Sequence, residues 1–203
     1  MVGEVYGESW RLTRLHWLTA WLLVFTGMVA SAIVGFVLAE FLGLGRQSTS
    51  LLTSVLTLPV NVGVFMSFVR LARGEPGVGV NSVLDAFDKF VPLCITSVAV
   101  WLVTVLGLIL FIVPGVILAL GLGFAPYLVI DRNLDAAQAM RASWDLMLGH
   151  KFEAFLLAVA SILLVAVSAI PLGLGLLLSI PMVSFAQGVF YNRVVSRKGL
   201  DVA

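Results

Sequence analysis

Few residues of this chain have side chains suited to chemistry, and their spacing argues against catalysis. The histidines His16 and His150 are far apart in sequence, and the single cysteine, Cys94, has no second thiol to pair with. His150 and Glu153 are three residues apart, which places both on one helical face and would suit a metal or proton relay. Because Lys151 lies beside them at the start of an apolar run, the pair is better interpreted as an interfacial anchor. We therefore expect no enzymatic activity, no metal site and no cofactor.

A second set of candidates consists of polar residues inside apolar runs, where an unpaired polar group is costly. Thr53, Thr57 and Asn61 recur every four residues, and Ser184 and Gln187 form a shorter pair. They predict either a cavity that binds a lipid or small solute, or hydrogen bonds between helices. The residues predicted to line such a cavity are Thr57, Asn61, Ser184 and Gln187.

These residues lie in a chain with the composition of a membrane protein. Of its 203 residues, 61% are hydrophobic and 11% are charged, whereas a soluble domain has roughly 25% charged residues. Four charge-free runs cover residues 17–39, 47–69, 90–130 and 154–192. About 20 apolar residues cross a bilayer as a helix, so each short run fits one span and each long run fits two. A soluble enzyme, a nucleic-acid-binding protein and a secreted disulfide scaffold are excluded.

The long runs are divided by their turn residues, at Val113-Pro114-Gly115 and at Ile170-Pro171. The predicted fold is an all-α integral membrane domain of residues 1–203, with six transmembrane helices in three hairpins. Residues 40–50 are expected to connect the first hairpin. The predicted spans are residues 17–39, 47–69, 90–113, 114–130, 154–170 and 174–192.

The basic residues indicate the orientation of these spans. Eleven of the twelve lysines and arginines lie in the N-terminal segment, the two long connections between hairpins and the C-terminal tail, and only Arg46 lies on the other side. Positively charged loops remain in the cytoplasm. We therefore expect both termini to be cytoplasmic.

An amphipathic helix is predicted before each hairpin. Apolar residues recur every three or four positions through residues 134–148, with Asn133 as the predicted cap. Residues 82–90 and the N-terminal segment show shorter or weaker forms of this pattern. Such helices lie at the membrane surface with their aromatic rings at the interface. The predicted interfacial anchors are Trp10, His16, Trp144 and His150.

Part of the chain is repeated. Residues 9–23 and 143–157 are identical at seven of 15 positions, including a Ser-Trp pair and a histidine. A looser third copy begins near Ala86-Phe87. The pattern predicts three parallel repeats, each an interfacial helix followed by a hairpin. The repeat units are roughly residues 1–73, 81–130 and 134–195.

Small residues recur every four positions in two of the predicted spans. Such stripes let helix backbones approach closely. The contact is either within one chain or between copies in a homo-oligomer, and the pattern leaves both open. The residues predicted to pack in this way are Gly27, Ser31, Gly35, Gly115, Ala119 and Gly123.

Several short motifs together resemble the prokaryotic YciC-like family of multi-spanning membrane proteins of unknown function. They include Pro59-Val-Asn-Val-Gly63, Arg70-Leu-Ala-Arg73-Gly74-Glu75-Pro76, Phe124-Ala-Pro126-Tyr127 and Ser143-Trp144 through Gly149-His150. The pattern is shared with the membrane domain of some glycerophosphodiester phosphodiesterases. The resemblance implies a six-span fold in a bacterial or archaeal cytoplasmic membrane, and it supplies no catalytic motif.

Two functions remain compatible with these features. The first is binding or permeation of a lipid or small solute within the bilayer. The alternative is a non-enzymatic scaffold or accessory subunit whose amphipathic helices dock a cytoplasmic or membrane partner. The expected partners are the lipid bilayer, a bound lipid, and a second copy or another membrane protein, but not a nucleic acid.

Overall fold

The computed structural model describes residues 2–42, 46–170 and 175–198, and the regular structure within these ranges is helical. One short 3₁₀ turn, Phe87–Lys89, precedes α6. The helices are α1 (Val2–Leu15), α2 (Trp17–Leu42), α3 (Arg46–Leu56), α4 (Leu58–Arg73), α5 (Asn81–Leu84), α6 (Phe90–Leu110), α7 (Ile112–Leu122), α8 (Ala125–Asp131), α9 (Ala136–Met147), α10 (Lys151–Ala169) and α11 (Leu176–Arg197).

Four of the described helical segments are long and apolar enough to cross a membrane: Trp17–Glu40, Asn81–Leu110, Ile112–Asp131 and Lys151–Ala169. Their outer faces carry large apolar side chains with little protein cover, and Leu18, for example, is 76% exposed. Surfaces of this extent are unfavourable in water and favourable against lipid acyl chains. The chain is therefore an all-α, multi-pass type of protein with four long apolar candidate spans.

The other two predicted spans differ from a single apolar helix. Residues 47–69 form parts of α3 and α4, which are separated at Thr57. Pro59 lies in the first turn of α4, where a proline is tolerated because its missing N–H is not needed. The span predicted at residues 174–192 corresponds to α11, whose polar residues, among them Gln187 and Asn192, lower its mean hydropathy.

Two predicted connections between helices differ from those in the structure, one in position and one in length. The break in the second hairpin is at Phe111, whose backbone is extended, and Pro114 lies in the first turn of α7 rather than at the break. The predicted connection at residues 40–50 is shorter than expected, because α2 continues to Leu42 and α3 begins at Arg46. The turn predicted at Pro171 lies outside the described residues.

The buried core is formed mainly by α4, α8 and α11. Gly188 of α11 lies so close to Phe68 of α4 that an added Cβ would be 3.3 Å from the Phe68 backbone. Aromatic rings fill the space between these helices, and the ring centroids of Phe68 and Phe185 are 4.9 Å apart in an edge-to-face arrangement. Rings of this kind bury large apolar areas and favour such geometry. The remaining helices pack around this core.

The shorter helices pack onto this core at one end of the molecule. α1 lies against α11, α5 against α4, and α9 against α7 and α8. The contacts are close: Ser143 Oγ of α9 donates to the Gly121 carbonyl of α7 at 2.8 Å. A Cβ on Gly63 of α4 would lie 2.3 Å from the Val83 carbonyl oxygen of α5.

Two details of the predicted amphipathic helices were wrong. Residues 82–90 do not form one helix, because α5 ends at Leu84 and the 3₁₀ turn Phe87–Lys89 follows. The cap of α9 is Asp135, not Asn133. Asp135 has the extended backbone of an N-cap and forms a capping box with Gln138, whereas Asn133 has a left-handed backbone with φ of 55°.

Candidate functional site

A cavity of about 210 Å³ lies between α4, α7, α8, α10 and α11. This space remains between α7 and α10 because some of their lining side chains are small, as at Ala119 and Ala158. On α10 the lining positions recur every three or four residues, so they share one helical face. The lining residues are Phe65, Ala119, Leu120, Gly123, Phe124, Tyr127, Met147, Ala154, Leu157, Ala158, Ser161, Gln187 and Phe190.

The cavity wall is largely apolar, with three polar residues. The Tyr127 ring stacks on Phe65, with centroids 3.9 Å apart. Ser161 Oγ donates to the Leu157 carbonyl at 2.8 Å and lies 2.8 Å from the Tyr6 hydroxyl of α1. The side-chain amide of Gln187 has no hydrogen-bond partner within the described part of the chain. Gln187 is an exposed residue, so its amide is a polar group of this cavity that a ligand can reach.

The structure separates Gln187 from the other residues predicted to line a cavity. Ser184 donates to the Ile180 carbonyl of its own helix at 3.0 Å. Thr57 is buried and donates to the Thr53 carbonyl at 2.8 Å. Asn61 Nδ2 donates to Thr57 Oγ1 at 3.4 Å, and none of these three residues lines this cavity. Thr57 and Asn61 of the polar stripe are thus hydrogen-bonded within the stripe, whereas the buried Thr53 hydroxyl has no partner among the described residues, and the stripe belongs to a different part of the bundle.

The predicted interfacial anchors lie on α1 and α9 and at the junctions of these helices with α2 and α10. Trp10 is 41% exposed on α1, and His16 lies at the junction of α1 and α2. Trp144 lies on α9 with the Lys151 ammonium 3.1 Å from its ring centroid, an arrangement typical of a cation–π contact. His150 lies at the junction of α9 and α10 and its Nδ1 is 2.9 Å from Glu153 Oε2.

Three of the six predicted packing residues, Gly27, Gly35 and Gly115, face other helices of the same chain. A Cβ on Gly27 would be 3.7 Å from Val64, and one on Gly35 would be 3.6 Å from Thr53. Gly115 lies against the Leu108 backbone nitrogen of α6, where an added Cβ would be only 2.6 Å away. Ser31 Oγ donates to the Gly27 carbonyl at 2.9 Å. Ala119 and Gly123 line the cavity instead.

Four polar residues that no sequence pattern had indicated as a site form a cluster that we call the polar clasp: Arg73, Asp131, Tyr191 and Asn192. The Arg73 guanidinium donates to both Asp131 oxygens, at 2.9 and 3.0 Å. The Tyr191 hydroxyl donates to Asp131 Oδ2 at 2.8 Å. Arg73 Nε donates to Asn192 Oδ1 at 2.9 Å. The clasp thus connects the C-terminal end of α4 to α8 and α11.

The clasp is largely shielded from solvent. The Asp131 side chain is 7% exposed, and the Arg132 guanidinium nitrogen Nε lies 3.3 Å from Asp131 Oδ2. Burial lowers the pKa of Arg73, but the hydrogen bonds and charge of Asp131 outweigh this effect and raise the pKa of Arg73 above its ordinary value. Bidentate pairs between arginine and a carboxylate are among the stronger hydrogen bonds in proteins. The clasp therefore suits a structural role in holding three helices together.

The described residues contain no group of three or more His, Cys, Asp or Glu side chains that could hold a metal ion. The chemistry that this part of the chain supports is binding by an apolar wall with one free amide. Among the described residues, the cavity lining contains no charged side chain, and its polar side chains are those of Tyr127, Ser161 and Gln187.

The helices and their lipid-compatible faces define a multi-pass membrane protein of the α-helical class. Residues 95–198, slightly more than half of the chain, match the model of the family described as "Protein of unknown function (DUF975)". The chain belongs to this family. No curated protein and no solved structure matches it.

Proposed function

We propose that this protein binds the acyl chain of a lipid, or an apolar solute of similar size, in the cavity between α7, α8, α10 and α11. The observation that carries the proposal is an apolar cavity of about 210 Å³ with one unpartnered amide. An apolar cavity of about 150 Å³ already accommodates benzene, whereas drug-sized ligands fill about 300–1,000 Å³. The volume therefore suits a segment of an acyl chain.

Gln187 gives the ligand a polar group to bind. Gln187 is an exposed residue of α11, and an amide that faces the apolar part of a bilayer without a partner is costly. A ligand ester or hydroxyl would satisfy the Gln187 amide while its apolar part contacts Leu120, Leu157 and Phe190. The absence of a charged group in the wall favours such a ligand over an ion. It also supports a binding protein rather than an enzyme.

The proposal includes a six-span topology with the basic end of the bundle in the cytoplasm. Two observations support it. α11 has 22 residues, which is long enough to cross a bilayer, and the contacts of Arg70, Arg73 and Arg193 are all at the end where α1, α5 and α9 pack. Positive charges favour the cytoplasmic side. Kinship to YciC-like proteins and a bacterial or archaeal membrane remain part of this proposal.

Threefold internal repetition is also proposed, and the packing supports it. Each interfacial helix lies on the second half of the preceding hairpin: α5 on α4, α9 on α7 and α8, and α1 on α11. Because α1 is the first helix and α11 the last, the contact between them completes a cyclic arrangement of the three proposed repeats. Equivalent positions of the clearest repeat also have the same environment, since Ser9 and Ser143 are both fully buried and Leu22 and Leu156 are both exposed.

The test compares two matched substitutions in protein purified into lipid nanodiscs and analysed by native mass spectrometry. Gln187→Leu removes the free amide of the cavity, whereas Asn61→Leu removes an amide outside the cavity. We expect the wild type and the Asn61→Leu variant to retain a bound lipid, and the Gln187→Leu variant to lose it. Equal retention by all three proteins would contradict the proposal.

The alternative function is docking of a partner protein through α9. It is supported by an open groove of about 300 Å³ lined by Leu122, Met140, Arg141, Trp144 and Asp145. In this case the substitution Arg141→Glu would abolish co-purification of the partner and leave lipid retention unchanged.

A further inference from the structure

The acidic residues of α1 lie in its N-terminal half and its arginines in its C-terminal half. Glu8 and Glu4 accept hydrogen bonds from the Arg193 guanidinium of α11, at 2.7 and 3.3 Å. Arg11 and Arg14, in contrast, are exposed and have no acidic partner among the described residues. Both acidic residues of α1 thus share one guanidinium of the protein, whereas its two arginines have no acidic partner among the described residues.

Most other basic residues near this end of the bundle have partners within the protein. Arg70 is paired with Asp85, Arg73 with Asp131, and Lys151 lies on Trp144. Two unpaired arginines one helical turn apart are therefore a distinctive feature of α1. Two arginines at this spacing lie on the same side of a helix and can contact one anion together.

The surroundings of the two arginines match the boundary between lipid headgroups and acyl chains. An open groove of about 600 Å³ is lined by Trp10, Arg11, Leu12, Arg14 and Leu15. Trp10 is 41% exposed and Leu15 is 72% exposed on the same surface. Tryptophan is enriched at headgroup depth, and arginine there contacts anionic lipid.

The depth of the site is defined by the helix that follows. The first candidate span begins at Trp17, three residues after Arg14. Leu18 and Leu22 continue the exposed apolar surface along α2. A phospholipid whose headgroup contacts Arg11 and Arg14 would thus have its acyl chains beside α2.

We propose that Arg11 and Arg14 of α1, together with Trp10, form a binding site for the anionic headgroup of a membrane phospholipid. This site is separate from the cavity between α7, α8, α10 and α11 and does not depend on the function proposed for that cavity. Its ligand is selected by headgroup charge rather than by acyl-chain shape.

The test is a titration of the detergent-purified full chain with phosphatidylglycerol and, separately, with phosphatidylcholine, with bound lipids counted by native mass spectrometry. The variant Arg11→Gln/Arg14→Gln is compared with Arg197→Gln/Lys198→Gln, which removes the same charge from exposed basic residues elsewhere that have no acidic partner among the described residues. The variant Arg11→Lys/Arg14→Lys keeps the charge.

Each basic residue at an anionic surface contributes about fivefold to affinity. We therefore expect Arg11→Gln/Arg14→Gln, which removes two, to weaken binding of the first phosphatidylglycerol about 25-fold. Phosphatidylcholine binding should be unchanged, and the control and lysine variants should remain within about threefold of the wild type. Equal weakening in both glutamine variants would show a general charge effect and overturn the proposal, as would unchanged binding. If the double variant does not fold, each single substitution should weaken binding about fivefold, and no weakening in either would overturn it.

Discussion

The substitution Asp131→Asn tests the polar clasp, because it removes one charge and keeps the shape of the side chain. Asp131 accepts two hydrogen bonds from Arg73 and one from Tyr191, and its side chain is 7% exposed. Removing one partner of a buried ion pair costs about 3–5 kcal/mol. The Arg73 side chain is 23% exposed, so water can partly hydrate its charge once the Asp131 carboxylate is removed. We therefore expect a loss at the lower end of this range, about 3 kcal/mol, in the free energy of unfolding.

The chain contains a matched control in the pair of Arg70 and Asp85. The Nη1–Oδ2 distance of this pair is 2.7 Å, but the Asp85 side chain is 53% exposed. Exposed pairs contribute about 0–1 kcal/mol. Asp85→Asn should therefore lower the free energy of unfolding by less than about 1 kcal/mol, although it removes the same charge and a shorter contact.

Unfolding is measured by titrating the protein with sodium dodecyl sulfate in mixed micelles and following tryptophan fluorescence. A double-mutant cycle of Arg73→Gln with Asp131→Asn isolates the coupling between the two residues, which we expect to exceed about 1.5 kcal/mol. Equal effects of Asp131→Asn and Asp85→Asn, or a coupling near zero, would refute the reasoning that burial gives the clasp its strength.

Two further predictions concern the helices that pack on the core. Gly63→Ala should destabilise the protein by about 1–3 kcal/mol, since its Cβ would lie 2.3 Å from a rigid backbone oxygen of Val83. The control Gly79→Ala, whose Cβ would have nothing within 4 Å, should be nearly neutral in the same unfolding titration. Equal destabilisation by the two substitutions would contradict the close contact between Gly63 and Val83. Ser143→Ala removes a buried hydrogen bond to Gly121 and should lower the free energy of unfolding by about 1 kcal/mol, whereas an unchanged midpoint would show that this bond contributes nothing.

The features that could be predicted from the sequence are those set by local pattern. Long charge-free runs predicted α2, α6 and α10, because a helix that faces lipid must be apolar over its whole length. The apolar spacing of residues 134–148 predicted α9, since an interfacial helix has one apolar face. The position of its cap was missed because Asn133 and Asp135 are both suitable residue types, and only the backbone conformation distinguishes them.

The candidate site depends on contacts between residues far apart in the chain, which no local pattern specifies. Arg73 was interpreted as one of the basic residues that set orientation, yet it pairs with Asp131 across 58 residues. Gln187 and Asn61 were predicted to line one cavity, and their separation depends on how α4 and α11 pack. The cavity itself arises from small residues such as Ala119 and Ala158 meeting across helices, and alanine has no distinctive sequence signature.

The central claim, that an acyl chain occupies the cavity, is tested most directly by photo-crosslinking. A phosphatidylglycerol with a diazirine in its acyl chain is incorporated into nanodiscs with the protein, and the adducts are mapped by peptide mass spectrometry. The account predicts adducts at cavity residues such as Leu157 and Phe190, and their loss in the variant Ala158→Phe, which fills the cavity. Adducts restricted to outward-facing residues such as Ile109 and Ile162, unchanged by that substitution, would contradict it.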